Sequence, residues 1–298
     1  MLGGRCTGRF LALNAMENRV YDLEFEDGTH KVIKFYRPGR WSKETILSEH
    51  QFLFTLLKEE IPVVPPIQDS AGNSLFEKEG VFFTLFPKRP GRLEPELNRE
   101  QLTRVGRYLA RIHHVGEKMQ NVARQKLSPQ TYGRDSLQYL QQNALIPKHL
   151  NERYQTLVLQ LCDRIEPYFS SFGSILLHGD CHAGNILWQG DNPYFIDFDD
   201  MLYAPPVQDI WMVTGSGDEY GREMRDILLE AYRTMRSFDE DSLTLIEPLR
   251  ALRIVYFSAW IAKRWNDGAF QAAFPNFNSE RYWQEQIEAL SNQLEKLP

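Results

Sequence analysis

The stretch of residues 174–200 reads SILLHGDCHAGNILWQGDNPYFIDFDD and decides both the fold and the chemistry of this chain. It holds short apolar runs separated by polar residues, a pattern typical of buried β-strands joined by tight turns. The turn-forming residues 190–193 separate the runs Ile186–Trp188 and Tyr194–Ile196. We therefore predict that these two runs pair as a β-hairpin.

Three polar side chains lie at the ends of these runs. Asn185 directly precedes the hairpin and Asp197 directly follows it, so the hairpin would bring the two together. Asp180 precedes Asn185 by five residues and would lie at the mouth of the same site. Phosphoryl transfer requires this combination. Asn and Asp oxygens hold Mg²⁺ on the nucleotide phosphates, while a separate Asp orients the acceptor hydroxyl and accepts its proton.

The spacing from Asp180 to Asn185 equals that between the Asp and the Asn of the protein-kinase catalytic loop. Gly179 stands where that loop carries arginine. The pattern His-Gly-Asp-x-His-x-x-Asn, followed by Ile-Asp-Phe-Asp, resembles the kinase-like phosphotransferases, which include aminoglycoside and choline kinases. The alternative interpretation is a pair of surface turns whose acidic residues are incidental.

The histidines beside Asp180 allow a second interpretation, a zinc hydrolase that uses His178, Cys181 and His182. Alternate residues of a strand-like run point in opposite directions, so these three do not converge as zinc ligands must. We predict instead that the histidines brace the loop by hydrogen bonds. Asp209 is predicted to anchor the backbone of this loop. The roles of the residues at 199 and 200 stay open between assisting the metal and capping the next segment of the chain.

The region before this stretch is predicted to be β-rich with one helix. Its strand candidates are Phe10–Leu13, Val20–Phe25, Lys31–Tyr36, Leu75–Glu77 and Val81–Phe86. Lys34 lies on the third strand, as the phosphate-binding lysine of kinases does, although a solvent-facing lysine fits the same alternation. The predicted helix Ser42–Lys58 carries Glu49, which could pair with Lys34 and hold it against the ATP phosphates; a surface glutamate is the alternative.

These elements predict an α+β, two-lobed protein-kinase-like fold. A Pro, Gly and basic stretch at 87–92 marks the boundary between a small β-rich N-lobe that covers ATP (residues 1–88) and a larger, mostly helical C-lobe (89–298). In the C-lobe, Asn98 and Gln101 form a capping box before an apolar stripe at helical spacing. His113-His114 is predicted to end that helix as a C-terminal cap; a paired-His metal site is the alternative.

Composition excludes several functional classes. A net charge of −6 argues against a partner that is a nucleic acid or an anionic membrane. The three cysteines form no C-x-x-C pair, which favours a reducing cytoplasm over a disulfide scaffold. Met1–Phe10 has no apolar core of the kind that a signal peptide needs. The longest apolar run, Ile254–Ala262, is about half of what a bilayer span requires.

Seven segments resemble the bacterial stress response kinase A family and together extend over nearly the whole chain. They are Met16–Tyr21, Lys34–Trp41, Glu49–Phe52, Val105–Leu109, Leu177–Trp188, Val207–Met212 and Ile246–Ala251. The resemblance implies an ATP- and Mg²⁺-dependent serine/threonine protein kinase on a choline-kinase-like fold, cytoplasmic and linked to envelope and oxidative stress. It makes Asp180 the catalytic proton acceptor, Asn185 and the catalytic Asp197 the Mg²⁺ ligands, and Lys34 a phosphate ligand.

The chain departs from the family at two places. Ala15, in the predicted ATP-binding loop, stands where the family has a serine, so one hydroxyl contact to ATP is missing. Leu2–Leu13 already aligns near the first strand, which predicts that the family's N-terminal helix is absent through a truncated or misassigned start. We expect a monomer that phosphorylates Ser/Thr hydroxyls of proteins, its own included.

Two other functions stay open. One is a small-molecule kinase of the aminoglycoside, choline or homoserine kinase type, because Phe198–Ala204 is too short to hold a long peptide-docking segment. The other is a non-catalytic ATP-binding module, which is disfavoured because Lys34, Asp180, Asn185 and Asp197 are all present.

Overall fold

The computed structural model describes residues 4–13, 16–215 and 217–297. Its N-terminal region contains an antiparallel five-stranded sheet. The strands are β1 Cys6–Ala12, β2 Arg19–Phe25, β3 His30–Phe35, β4 Phe76–Lys78 and β5 Val81–Pro87. Their order across the sheet is β1-β2-β3-β5-β4, and the turn at Asp27-Gly28 joins β2 to β3. The predicted strands are confirmed, with β1 beginning earlier than expected.

One helix, α1, follows the first three strands and spans Lys43–Lys58. Ser42 caps it, because its side chain accepts a hydrogen bond from the backbone N–H of Thr45, which satisfies one of the free donors of the first turn. Its apolar stripe, which includes Ile46, Phe52 and Leu56, is fully buried. The helix predicted here is confirmed.

Most of the chain after β5 is helical. The remaining helices are α2 Arg99–Lys118, α3 Asp135–Gln142, α4 Lys148–Ser170, α5 Val207–Thr214, α6 Glu219–Arg233, α7 Ile246–Ala262, α8 Gly268–Ala273 and α9 Glu280–Lys296. The remaining strands are β6 Arg92–Leu93, β7 Ile175–Leu177, β8 Ile186–Gln189, β9 Asn192–Phe195 and β10 Leu202–Ala204. The α+β class is therefore confirmed. None of the helices within the described ranges combines the length and the apolarity that a membrane crossing needs.

The chain forms two compact units. The first consists of Met1–Arg124, Ile175–Leu202 and Asp209–Phe238, and the second of Gln125–Ser174, Tyr203–Gln208 and Asp239–Pro298. This partition follows tertiary contacts rather than a single point in the sequence. The lobes of residues 1–88 and 89–298 stay a prediction.

Helix α2 belongs to the first unit. The capping box of Asn98 and Gln101 is present, and the predicted stripe of Leu102, Val105, Leu109 and Ile112 is buried. The sequence predicted that this helix ends at His113-His114, but it continues to Lys118. The prediction was wrong because His113 extends the buried stripe and has partners inside the protein.

In the second unit, the core is rich in aromatic side chains. Tyr132 stacks on Tyr256 with ring centroids 3.9 Å apart, and Tyr154 meets Trp283 edge-on at 5.4 Å. Such pairs contribute about 0.5–1.5 kcal/mol beyond the burial of their area. Helix α7, which carries Tyr256, is buried over most of its length and belongs to this core.

Candidate active site

The hairpin of β8 and β9 brings two of the predicted site residues together. Its register pairs Ile186 with Phe195, so the turn is the dipeptide Gly190-Asp191, tighter than the four-residue turn predicted. Beyond the last pair, the N–H of Ile196 donates to the carbonyl oxygen of Asn185 at 3.0 Å. Asn185 and the residue after Ile196, which is Asp197, are therefore neighbours across the open end of the hairpin, as the sequence predicted.

Hydrogen bonds fix the loop that carries Asp180. The side-chain amide of Asn185 donates to the carbonyl oxygen of Asp180 at 2.9 Å. His178 Nδ1 accepts from the N–H of Asp180 (3.4 Å), which leaves Nε2 protonated to donate to the carbonyl oxygen of Ile196 (3.0 Å). His182 Nδ1 accepts from a backbone N–H at 3.0 Å, and its Nε2 lies 3.5 Å from the Asp180 carboxylate. Both histidines brace the loop, as predicted.

Gly179 has a structural reason to replace the arginine of protein kinases. Its φ of 83° lies in the left-handed region that side chains rarely adopt. A Cβ atom there would also collide with the carbonyl oxygen of Asp200. Glycine thus lets the loop that carries Asp180 pass directly against the segment that follows Asp197.

Asp209 holds the same loop through hydrogen bonds to its backbone. It is fully buried, and its two carboxylate oxygens accept from the backbone N–H groups of His178 (3.1 Å) and Gly179 (2.8 Å). His113 lies 3.2 Å from this carboxylate through Nε2 and 2.9 Å from the hydroxyl of Tyr232 through Nδ1. Asp209 therefore anchors the loop, as predicted, and His113 is part of its support.

We expect Asp209→Ala to lower the free energy of unfolding by about 3 kcal/mol and to reduce phosphotransfer. The substitution leaves two buried N–H groups without an acceptor, and each such group costs roughly 1–3 kcal/mol. Denaturant unfolding measures the first effect and turnover of labelled ATP the second. Asp163→Ala is the control, because Asp163 is largely exposed in its pair with Arg134 and should change stability by less than about 1 kcal/mol. Equal losses in the two variants would contradict the anchoring role.

Lys34 stands at the centre of a cluster of carboxylates. Its Nζ lies 2.9 Å from Asp199, 3.2 Å from Asp197 and 3.7 Å from Glu49. The side chains of Lys34 and Glu49 are both buried, so neither is the solvent-facing residue of the alternative interpretations. The structure thus brings together the predicted residues Lys34, Glu49 and Asp197.

The charges of this cluster are set by burial and by neighbouring charges. Burial opposes the charge of Lys34, but the carboxylates of Asp199, Glu49 and Asp197 outweigh it and raise the lysine pKa well above its usual value. Burial raises the pKa of Glu49 to about 7, against the opposing effect of Lys34. Burial acts in the same sense on Asp199, but Lys34 and Arg40 overcome it and hold that pKa below its usual value. At neutral pH, Lys34 and Asp199 therefore form an ion pair.

Asp197 differs from its neighbour Asp199 in exposure. Its side chain is 54% exposed, whereas that of Asp199 is 4% exposed. The carboxylate of Asp199 is already paired with the positive charges of Lys34 and Arg40. Within residues 4–13, 16–215 and 217–297, no three His, Cys, Asp or Glu side chains form a metal cage. The oxygens of Asn185 and Asp197 nevertheless suit Mg²⁺, which takes one or two protein ligands and completes its octahedron with water and phosphate oxygens.

Several residues of the site have no counterpart among the sequence predictions. Arg40 contacts both Asp199 and Asp200 at 2.5 Å, and Asn18 donates to Asp199 at 2.8 Å. Asn18 and Arg40 lie in Met16–Tyr21 and Lys34–Trp41, two of the segments that resemble the stress response kinase A family. That resemblance is the only feature of the sequence that points to them. The open question about residues 199 and 200 is answered in part, because both pair with arginine. Ala15 lies outside the described residues.

Comparison with known proteins gives one family profile, described as the phosphotransferase enzyme family, that matches residues 10–245. This match extends over more than half of the chain and includes all the residues described above in the hairpin, the loop that carries Asp180 and the lysine cluster.

Two curated relatives are similar over nearly their whole length. Stress response kinase A of Escherichia coli (strain K12) is 38% identical over 296 residues, which cover 99% of this chain and 90% of the relative. Serine/threonine protein kinase RdoA of Salmonella typhimurium is 40% identical over 275 residues, 92% of this chain and 83% of the relative.

Among solved structures, the amicoumacin kinase hAmiN, in complex with AMP-PNP, Ca²⁺ and Ami, has a TM-score of 0.74 with 22% identity. The match covers 95% of this chain and 89% of that one. At this identity the likeness concerns the fold alone, and it confirms the kinase-like fold predicted from the sequence.

Proposed function

The chain belongs to the phosphotransferase enzyme family and, within it, to the stress response kinase A group, and from that premise we propose that it is an ATP-dependent serine/threonine protein kinase. The observation that carries the proposal is the convergence of Lys34, Glu49 and Asp197 with the loop that holds Asp180 and Asn185. The names of the relatives support a protein acceptor and a part in the bacterial stress response.

In the phosphotransfer mechanism that we propose, Asp180 accepts the proton of the acceptor hydroxyl. The hydroxyl oxygen forms a bond to the γ-phosphorus of ATP, and the bond from that phosphorus to the β–γ bridging oxygen breaks, so that ADP leaves with the electron pair. Lys34, held by Glu49, binds the α- and β-phosphates. Mg²⁺ held by Asn185 and Asp197 would offset the negative charge of the phosphates.

A small-molecule acceptor is the second candidate, and one observation favours it. Between Asp197 and Pro205, the short helical turn Phe198–Asp200 and strand β10 occupy nearly the whole segment. A long peptide-docking segment therefore has no room at this place. The solved kinase hAmiN, with its bound Ami, is an example of a related fold with a small ligand.

The deciding experiment supplies γ-labelled ATP and Mg²⁺ to the enzyme with three acceptors in parallel: a generic phosphoacceptor protein, the enzyme alone and small amino alcohols. A protein label that survives acid and is lost in alkali identifies phosphoserine or phosphothreonine and supports the protein kinase. A label found only in an amino alcohol overturns it in favour of the second candidate. Absence of any ATP turnover would contradict both. The cytoplasmic location and the monomeric state stay predictions.

A further inference from the structure

The segment after Asp197 has a strained beginning. Asp197 adopts the left-handed conformation (φ 60°, ψ 62°), and a short helical turn, Phe198–Asp200, follows it. A non-glycine residue in this conformation is uncommon and persists where its surroundings hold it. The orientation of the Asp197 carboxylate therefore depends on what fixes the neighbouring residues. Phe198 packs edge-on against Phe52 of α1 with ring centroids 5.8 Å apart, which supplies one such contact.

Arg40 makes polar contacts with two carboxylates of this turn. One guanidinium nitrogen lies 2.5 Å from the Asp199 carboxylate and another 2.5 Å from that of Asp200, while Nε lies 3.5 Å from Glu17. Its side chain is only 7% exposed, so these contacts are shielded from water. Charge-assisted hydrogen bonds that use two nitrogens of one planar group fix direction as well as distance.

Arg124 reaches the same turn from the other side. It donates to the carbonyl oxygen of Asp199 at 2.6 Å, and in α1 to the carbonyl oxygen of Thr45 at 2.9 Å and the hydroxyl of Ser48 at 3.1 Å. The nitrogen that donates to Thr45 also lies 3.8 Å from the carboxylate of Glu49, the partner of Lys34. This side chain is completely buried and thus connects the turn to the helix that positions the phosphate lysine.

Both arginines lie close to the rings of Trp41. The guanidinium carbon of Arg40 is 4.9 Å from the centre of its rings and that of Arg124 is 5.2 Å away, both within cation–π distance. Contact with a flat ring restricts the rotation of each guanidinium group. We call Arg40, Trp41 and Arg124 the arginine clamp.

We propose that the arginine clamp positions Asp197 for metal binding by fixing Asp199 and Asp200. The proposal rests on the proposed function, since it concerns the same Mg²⁺–ATP site. Neither arginine touches substrate in this mechanism; both are positioning residues. Partners of this kind, one shell beyond the metal ligands, typically change metal affinity by about 10–100-fold when they are removed.

The test is calorimetric binding of AMP-PNP to the whole protein, with Mg²⁺ and with EDTA. The Mg²⁺-dependent gain in affinity is compared in wild type, Arg40→Gln, Arg40→Lys and the control Arg134→Gln. Arg134 also bridges two carboxylates, Asp163 and Glu166, each at 2.7 Å, but in the other compact unit. We expect Arg40→Gln to lower the gain by about 10–100-fold, with metal-free binding nearly unchanged.

The other variants sharpen the result. Arg40→Lys should recover part of the Mg²⁺-dependent gain, because the positive charge is kept. The recovery should be incomplete, because a single ammonium group cannot hold two carboxylates in a fixed geometry. Asp200→Asn should cost less alone than Arg40→Gln and add little to it in the double variant, since both changes remove the same contact. Arg134→Gln should retain the full gain. These variants, each checked by circular dichroism, keep the test valid if Arg40→Gln does not fold.

Three outcomes would overturn the clamp. They are an unchanged Mg²⁺-dependent gain in a folded Arg40 variant, an equal loss in Arg134→Gln, and a loss of the same size with and without metal. A wild-type protein that binds AMP-PNP with no Mg²⁺-dependent gain would instead contradict the proposed function and remove the premise of the clamp.

Discussion

Asp180→Asn is expected to lower phosphotransfer by about 10²–10⁴-fold, the usual contribution of a general base, and to change Mg²⁺–ATP affinity little. The amide has the shape of the carboxylate but cannot accept the proton of the acceptor hydroxyl. The loop itself should survive, because its contacts with Asn185 and His178 use the backbone carbonyl and N–H of residue 180 rather than the side chain. Structure and nucleotide binding are therefore separable from catalysis at this position.

The measurement is steady-state turnover of labelled ATP, together with calorimetric binding of Mg²⁺–ATP. Asp191→Asn is the matched control, because Asp191 lies in the turn of the same hairpin and its side chain is 82% exposed. It should change neither quantity. Turnover by Asp180→Asn within a few-fold of wild type would remove Asp180 from the role of base.

The local parts of the site could be predicted from the sequence because short-range rules determine them. Turn residues between two apolar runs specify the hairpin, and the hairpin then places Asn185 beside Asp197 whatever the rest of the chain does. The alternation of apolar and polar residues likewise predicts the strand of Lys34, and the helical spacing of apolar residues predicts the helix of Glu49. Their pairing at 3.7 Å follows from the kinase-like arrangement that the resemblance implied.

The clamp could not be predicted in this way. Arg40 and Asp199 are 159 positions apart, and Arg124 is 75 positions from Asp199. Apart from the family resemblance of the segment Lys34–Trp41, nothing in their local sequence distinguishes a buried arginine from the solvated arginines common on any surface. His113 is a different case. It lies four residues after Leu109 on the buried stripe of α2, so the helical period itself could have extended the helix through it.

Asp197→Ala is expected to weaken Mg²⁺–ATP binding by at least about 100-fold, more than the 10–100-fold typical of residues one shell further out. It removes a charged oxygen ligand from a cation that takes few ligands from the protein. Metal-free ATP should bind nearly as before, because Lys34 keeps its pairs with Glu49 and Asp199. Asn185→Ala should act in the same direction but less strongly, since a neutral amide is lost.

Alanine at position 197 also disturbs the backbone, because the left-handed conformation there costs it roughly 1–2 kcal/mol. Asp197→Asn separates the two effects. Asparagine tolerates this conformation nearly as well as aspartate and keeps an oxygen, but it has no charge. If the carboxylate acts as a metal ligand, both variants lose most of the Mg²⁺-dependent affinity in calorimetry, while only the alanine variant also melts at a lower temperature. Equal Mg²⁺–ATP affinity in wild type and Asp197→Asn would show that the charge of Asp197 does not bind the metal, and the site would then have to be sought among the other oxygens of the cluster.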